Sequence, residues 1–260
     1  MRMAALQMQA VAGGVEANLA RIEAAMRDAA RQGATLLVTP ELAIQGYGAG
    51  AAMTALAEEP EGPSWRRLAA VSQETQVAVI AGFAERDGEA VYNSALFIDG
   101  DRPPRVYRKS HLYGPYERGL FEAETPTSCI VDHGGVKFGL LICYDVEFPE
   151  NVRRLALAGA QAVLVPTALP ASDHDDFIAR KMIPVRAFEN QVFVAYVNHC
   201  GADALGAYAG LSGIAAPNGT MLAAADAAGE ALLVADLEVA AFRKSAEQNP
   251  YVSDLMGGRV

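Results

Sequence analysis

Cysteine is scarce in this 260-residue chain. Cys129, Cys143 and Cys200 are an odd set without paired spacing, which argues against a disulfide framework and for a reducing, cytoplasmic compartment. Histidine is scarce too. His111, His133, His174 and His199 form no pair with metal-ligand spacing beside cysteines or carboxylates, so no zinc site is expected. Asp173, Asp175 and Asp176 around His174 read as the solvated start of a helix. Gly13-Gly14 alone is too little for a glycine-rich phosphate loop. No apolar run reaches the length of a membrane-spanning helix. The opening MRMAALQMQ, broken by Gln7 and Gln9, is too short to read as a secretory signal. Positive charge is in the minority, with 21 Lys and Arg against 31 Asp and Glu, and the net charge of −10 disfavours nucleic acid and anionic membranes as partners. Internal repeats, low-complexity linkers and composition breaks are all missing, so one domain over residues 1–260 is expected.

What is present is apolar material in regular periods. Hydrophobic residues make up 52% of the chain and charged residues 20%, enough for a large core and too little charge for disorder. Residues 2–9 read as a strand. Val15, Leu19, Ile22 and Met26 fall at helical spacing, with Gly33 as the stop. Further strands are expected at 35–39, 77–83, 90–98, 105–108, 137–143, 162–166, 192–197 and 231–237. The turn dipeptides Asp87-Gly88 and Asn218-Gly219 mark hairpins. Helices are expected at 64–73, from Pro149 to about Ala158, and over 176–190, where Pro184 must kink the helix or fall near an end. Interleaved helices and strands indicate an α/β architecture with helices covering sheet faces.

Three apolar strands end in a reactive residue. They are Leu36-Leu37-Val38-Thr39-Pro40-Glu41, Val106-Tyr107-Arg108-Lys109 and Gly139-Leu140-Leu141-Ile142-Cys143-Tyr144-Asp145. Ligands of α/β sheets gather beyond the carboxyl ends of strands, so a shared sheet face would bring Glu41, Lys109 and Cys143 together. Taken singly, each has an ordinary reading as a core thiol, a solvated carboxylate or a surface lysine. Together they offer a nucleophile, a general base and a fixed cation that favours thiolate and stabilises an oxyanion. The NH of Tyr144 is a further candidate oxyanion donor. No histidine has a clear claim to be the base.

These segments resemble the catalytic signatures of the nitrilase (carbon–nitrogen hydrolase) superfamily. The matching stretches are Pro40-Glu41-Leu42, Tyr107-Arg108-Lys109-Ser110-His111-Leu112 and Ile142-Cys143-Tyr144-Asp145, in the family's order. The likeness continues through Asp145–Glu150, Val165-Pro166-Thr167-Ala168, Ala187–Asn190 and Pro217-Asn218-Gly219. It implies a four-layer α-β-β-α sandwich and a homodimer or higher homo-oligomer. It also implies a second glutamate that holds Lys109: Glu117 is the best match, ahead of Glu122 and Glu124. Tyr144, Glu147, Thr167 and Ala168 are the candidate substrate-binding residues. Within the superfamily the chain is similar to the aliphatic amidase branch, including the 5-aminopentanamidases and R-selective amidases.

The chemistry so implied is hydrolysis of a small aliphatic primary amide, an ω-amino amide being the sharper reading, through a thioester on Cys143, with neither metal nor organic cofactor. Two other readings stay open. One is an N-carbamoyl amine or amino-acid amidohydrolase using the same residues. The other is a non-catalytic binding protein on the same scaffold, which the intact Glu41, Lys109 and Cys143 disfavour.

Overall fold

The computed structural model describes residues 1–257, so the last residues of the expected domain, 258–260, lie outside what is described. In chain order the strands are β1 (Arg2–Gln7), β2 (Leu36–Val38), β3 (Ala78–Asp87), β4 (Ala90–Ile98) and β5 (Arg105–Arg108). Then come β6 (Ile130–His133), β7 (Val136–Leu140), β8 (Ala162–Thr167) and β9 (Phe193–Asn198). A two-stranded ribbon, β10 (Ala202–Asp203) and β11 (Gly206–Ala207), precedes β12 (Gly213–Ala215), β13 (Met221–Ala224) and β14 (Ala231–Asp236). Two six-stranded sheets result, ordered β14-β1-β2-β3-β4-β5 and β13-β12-β9-β8-β7-β6.

Each sheet has three parallel strands at its heart, β1-β2-β3 in one and β7-β8-β9 in the other, flanked by antiparallel strands. Successive side chains of a strand face opposite ways, and in the first sheet both faces are apolar. Met3, Ala5, Leu36, Val38, Ala78 and Ile80 join the core shared with the second sheet. Ala4, Leu6, Leu37, Val79 and Ala81 join a separate core beneath the helices Val15–Arg31 and Pro63–Thr75. The outer face of the second sheet is covered by the helices Pro149–Leu157 and Ile183–Asn190, through Val152, Leu155, Ile183 and Ala187. The architecture is therefore the four-layer α-β-β-α sandwich. Gly139 lets the outer layer approach closely: a Cβ there would lie 2.7 Å from the Leu155 side chain.

The sheets pack with β1 against β9 and β3 against β8. Met8 and His199 form a bridge just past the ends of β1 and β9, and Cys200 N donates to Met8 O at 3.1 Å. This seam ties together the carboxyl ends of the two sheets, where the loops carrying reactive residues emerge.

Several elements differ from the expectations. The strand expected over 137–143 stops at Leu140: Leu141 N still reaches Leu164 O on the neighbouring strand, but Asp145 binds Ile142 N and draws the next residues into a 3₁₀ turn, Cys143–Glu147. The helix expected over 176–190 runs through a wider π turn at Ile178–Met182, and Pro184 falls just past that turn, at the start of Ile183–Asn190. The short strands β6, β12 and β13 and the helix Gly114–Arg118 have too few residues to impose a period on the sequence.

Candidate active site

Glu41 lies beyond β2 in a loop gripped by both sheets. Its NH donates to Thr167 O at 3.3 Å, and His199 Nε2–H donates to its carbonyl at 2.7 Å. Leu42 next to it takes a left-handed φ of 50°. The loop lies flat on β3 only because position 82 is glycine: a Cβ there would meet Pro40 O at 2.3 Å and Leu42 N at 2.4 Å. Asn93, on β4, donates its amide to Glu41 Oε1 at 2.7 Å, while Glu41 Oε2 is buried without a hydrogen-bond partner among the described residues.

Lys109 follows β5. Successive residues there point opposite ways, so Arg108 goes outward into Glu85 and Asp87 while Lys109 goes in. Lys109 Nζ donates to Glu41 Oε1 at 2.6 Å and to Glu117 Oε1 at 2.8 Å, with all three side chains fully enclosed. Glu117 sits on the helix Gly114–Arg118 and also receives Tyr47 OH at 2.7 Å and Tyr113 N at 2.9 Å. Glu122 and Glu124 are elsewhere: Glu122 N is bonded to Val91 O, and the Glu124 carboxylate faces Arg108.

Cys143 opens the 3₁₀ turn with a left-handed φ of 44°, a strained setting for a residue with a Cβ. Asp145 holds that turn against the lysine loop. Its Oδ2 accepts from Tyr107 OH at 2.9 Å and Ile142 N at 3.2 Å, and its Oδ1 from His111 N at 2.8 Å. Arg186 supports the far side of the turn by donating to Val146 O and Glu147 O. A cavity of about 280 Å³ opens at Cys143, walled by Tyr113, Tyr144, Glu147, Leu169, Pro170 and His174 among others.

Charge in this enclosure is finely opposed. Burial pushes the Glu41 carboxyl up and Glu117 adds to it, while Lys109 pulls it down, leaving it at about 7. Burial opposes the charge on Lys109, yet Glu41 and Glu117 outweigh it and the ammonium is held more firmly than usual. Burial raises the Cys143 thiol well above its ordinary range, and Glu41 raises it further; Lys109 and a hydrogen bond from the Ala168 backbone oppose them. Burial and Glu41 thus favour the thiol form of Cys143, with Lys109 the main opposing influence.

The sequence-derived site residues divide accordingly. Glu41, Lys109 and Glu117 form one buried chain of hydrogen bonds, and Cys143, Tyr144 and Glu147 border the adjoining cavity. Thr167 does not line that cavity: its hydroxyl donates to Val165 O at 3.0 Å, and it serves Glu41 through its carbonyl. Ala168 borders a neighbouring cavity and reaches Cys143 through its backbone. Asn93, Tyr47 and the clamp role of Asp145 were not foreseen. Asn93 had one signal, a polar side chain inside the apolar run of β4, where a buried amide must find a partner.

Residues 2–246 match the family model described as carbon-nitrogen hydrolase. The chain is 43% identical over 260 residues to a protein described as "Hydrolase in pqqF 5'region" from Pseudomonas protegens, covering 98% of this chain and 88% of that one. It is 35% identical over 202 residues to an (R)-stereoselective amidase from Pseudomonas sp., covering 78% of this chain and 72% of that one. Among solved structures, an amidase of Nesterenkonia AN1 from the nitrilase superfamily superposes with a TM-score of 0.86 at 33% identity, over 98% of this chain and 93% of that one. Other structures of that amidase carry acrylamide added to its active-site cysteine or hold butyramide.

Proposed function

We propose that this chain, which belongs to the carbon–nitrogen hydrolase family, hydrolyses small aliphatic primary amides to carboxylic acid and ammonia through a thioester on Cys143. The observation that carries the reading is the buried Glu41–Lys109–Glu117 chain, its ammonium held at 2.6 and 2.8 Å, set against a cysteine that opens onto a cavity.

In this reading Glu41 takes the thiol proton as sulfur attacks the amide carbon. Its unpartnered Oε2 is the free acceptor, and a carboxyl near 7 is well matched to taking and returning a proton at neutral pH. Lys109, fixed as a cation by the two glutamates, and the Tyr144 NH stabilise the oxyanion. The tetrahedral adduct collapses, the C–N bond breaks, and Glu41 returns its proton to the departing nitrogen. Water, deprotonated by Glu41, then attacks the thioester and releases the acid.

An ω-amino amide is the sharper substrate. Glu147 is half-buried in the wall of the Cys143 cavity, and no described side chain hydrogen-bonds its carboxylate, which leaves it available to a distal ammonium. The same carboxylate keeps an N-carbamoyl amine as a second reading and disfavours an N-carbamoyl amino acid, whose carboxylate it would repel. Assembly into a homodimer or larger homo-oligomer belongs to the proposal, supported by exposed Leu157, Val185, Leu255 and Met256. Residence in a reducing compartment is supported by three unpaired thiols. In the described residues, no helix is long and apolar enough to cross a membrane.

Ammonia release from butyramide, 5-aminopentanamide, glutamine and N-carbamoylputrescine, with Cys143→Ala as control, tests the reading. Cysteine-dependent release from the plain and amino amides is expected. Release confined to the carbamoyl compound would move the assignment to the second reading, and silence across the panel would defeat both.

A further inference from the structure

A second cavity of about 250 Å³ adjoins the one at Cys143, and the two share Tyr113 and Pro170 as a common wall. Its character is different. Tyr47, Tyr116, Tyr208, Leu205 and Ala207 are among its lining residues, and no charged side chain lines it. The outer wall is built rather than loose. Ala171 N donates to Ala207 O at 2.9 Å, Leu205 N to Asp203 at 2.8 Å, and Tyr208 OH to the same carboxylate at 2.5 Å.

This cavity borders the charged side of the site. Tyr47 hydrogen-bonds Glu117, which shares the Lys109 ammonium with Glu41. Ala168, also in its wall, reaches the Cys143 sulfur through its backbone. A planar amide carries one substituent on carbon and one on nitrogen, pointing to opposite flanks. The flank lined by Tyr144 and Glu147 receives the acyl chain in the reading above. The flank beside the base, which must protonate the leaving nitrogen, then faces the tyrosine-lined cavity.

We propose that the tyrosine-lined cavity is a subsite for an apolar substituent on the leaving nitrogen, so that the protein also cleaves secondary amides with N-benzyl-sized groups. The inference rests on the amidase reading. A cavity of about 150 Å³ already accommodates benzene, so the space suffices, and an uncharged aromatic lining suits a neutral apolar group. The step balances as for a primary amide. The S–C bond forms, the C–N bond breaks, the proton Glu41 took from the thiol goes to nitrogen, and a primary amine leaves. Water then releases the same carboxylic acid and restores the thiol.

The test compares N-benzylbutanamide, followed by benzylamine release, with butyramide, followed by ammonia release, in the full chain and in Ala207→Phe. Ala207 borders the cavity from the exposed ribbon, outside the core, so the substitution adds bulk at its wall; Leu205→Trp provides a second filling variant. Cysteine-dependent benzylamine release is expected, with kcat/KM for the benzyl amide falling about tenfold or more in the filled variants relative to butyramide. No benzylamine from protein that turns over butyramide would overturn the inference and leave the amidase reading intact. Filled variants that slow hexanamide instead would assign the cavity to the acyl chain and overturn it equally. Failure on butyramide itself would remove the amidase reading, and this inference with it.

Discussion

The half of the chain built on β1–β5 and the half built on β6–β9 repeat one strand pattern, yet they hold opposite kinds of chemistry. The first half contributes charges: Glu41, Lys109 and Glu117 are wholly buried and locked to one another by short hydrogen bonds. The second contributes a thiol on a strained turn, Cys143 at φ 44°, beside open space. The difference reflects what each group does in the proposed reaction. Charges stabilise a transition state best when water is excluded and their positions are fixed beforehand. A nucleophile has to meet a substrate, so it needs a rigid backbone and an open side. Neither sheet alone provides both, and the seam at Met8–His199 joins them.

The largest expected effect separates the halves outright. Cys143→Ala should lower kcat on the order of a million-fold, with no acyl adduct in intact-protein mass spectra, while the Glu41–Lys109–Glu117 chain stays in place in a crystal structure. If turnover survives, the second half does not carry the nucleophile. Glu41→Gln attacks the other half. It should cost between about 10² and 10⁴ in kcat/KM and change the pH profile. Glu41 accepts a proton only when ionised, and its carboxyl is held at about 7. The rate should therefore fall as pH drops below that value, by about tenfold per unit, and the variant should lose this limb. A wild-type profile flat down to pH 5 would contradict the role of base.

Gly82→Ala probes how the first half is positioned without touching a reacting group. The added Cβ would collide with Pro40 O and Leu42 N, so the Glu41 loop must shift. A displacement of roughly an ångström lowers turnover about 100-fold, with KM little altered and Tm reduced. Unchanged kcat would mean that the loop has more freedom than its contacts imply. The smallest effect belongs to the second half. Glu147→Gln should raise KM for 5-aminopentanamide about fivefold relative to pentanamide, the scale of a half-exposed ion pair. An unchanged ratio would take Glu147 out of substrate recognition.

Much of this was legible from the chain. Reactive residues at the ends of apolar strands, and the family's local motifs around them, marked Glu41, Lys109 and Cys143 without any knowledge of packing. Local pattern does not separate Glu117 from Glu122 and Glu124, because all three follow the same lysine segment at loop distances. Only the short helix Gly114–Arg118 turns one of them inward. Asn93, Tyr47 and Asp145 act across 52, 70 and 38 residues of sequence, on Glu41, Glu117 and Tyr107 respectively, distances over which no periodic pattern reports a contact.

Residue order along the chain already carries the alternation of helices and strands and singles out Glu41, Lys109 and Cys143 as a group. These depend on residue type and on spacing within one element, which local rules govern. Packing between distant segments sets the rest: Cys143 leaves its strand early for a left-handed turn, Thr167 serves by its carbonyl rather than its hydroxyl, and two cavities of different character meet at Tyr113 and Pro170. Those outcomes follow from two sheets closing on each other. Hydrogen bonds and burial between residues far apart in the chain set positions that no segment fixes alone.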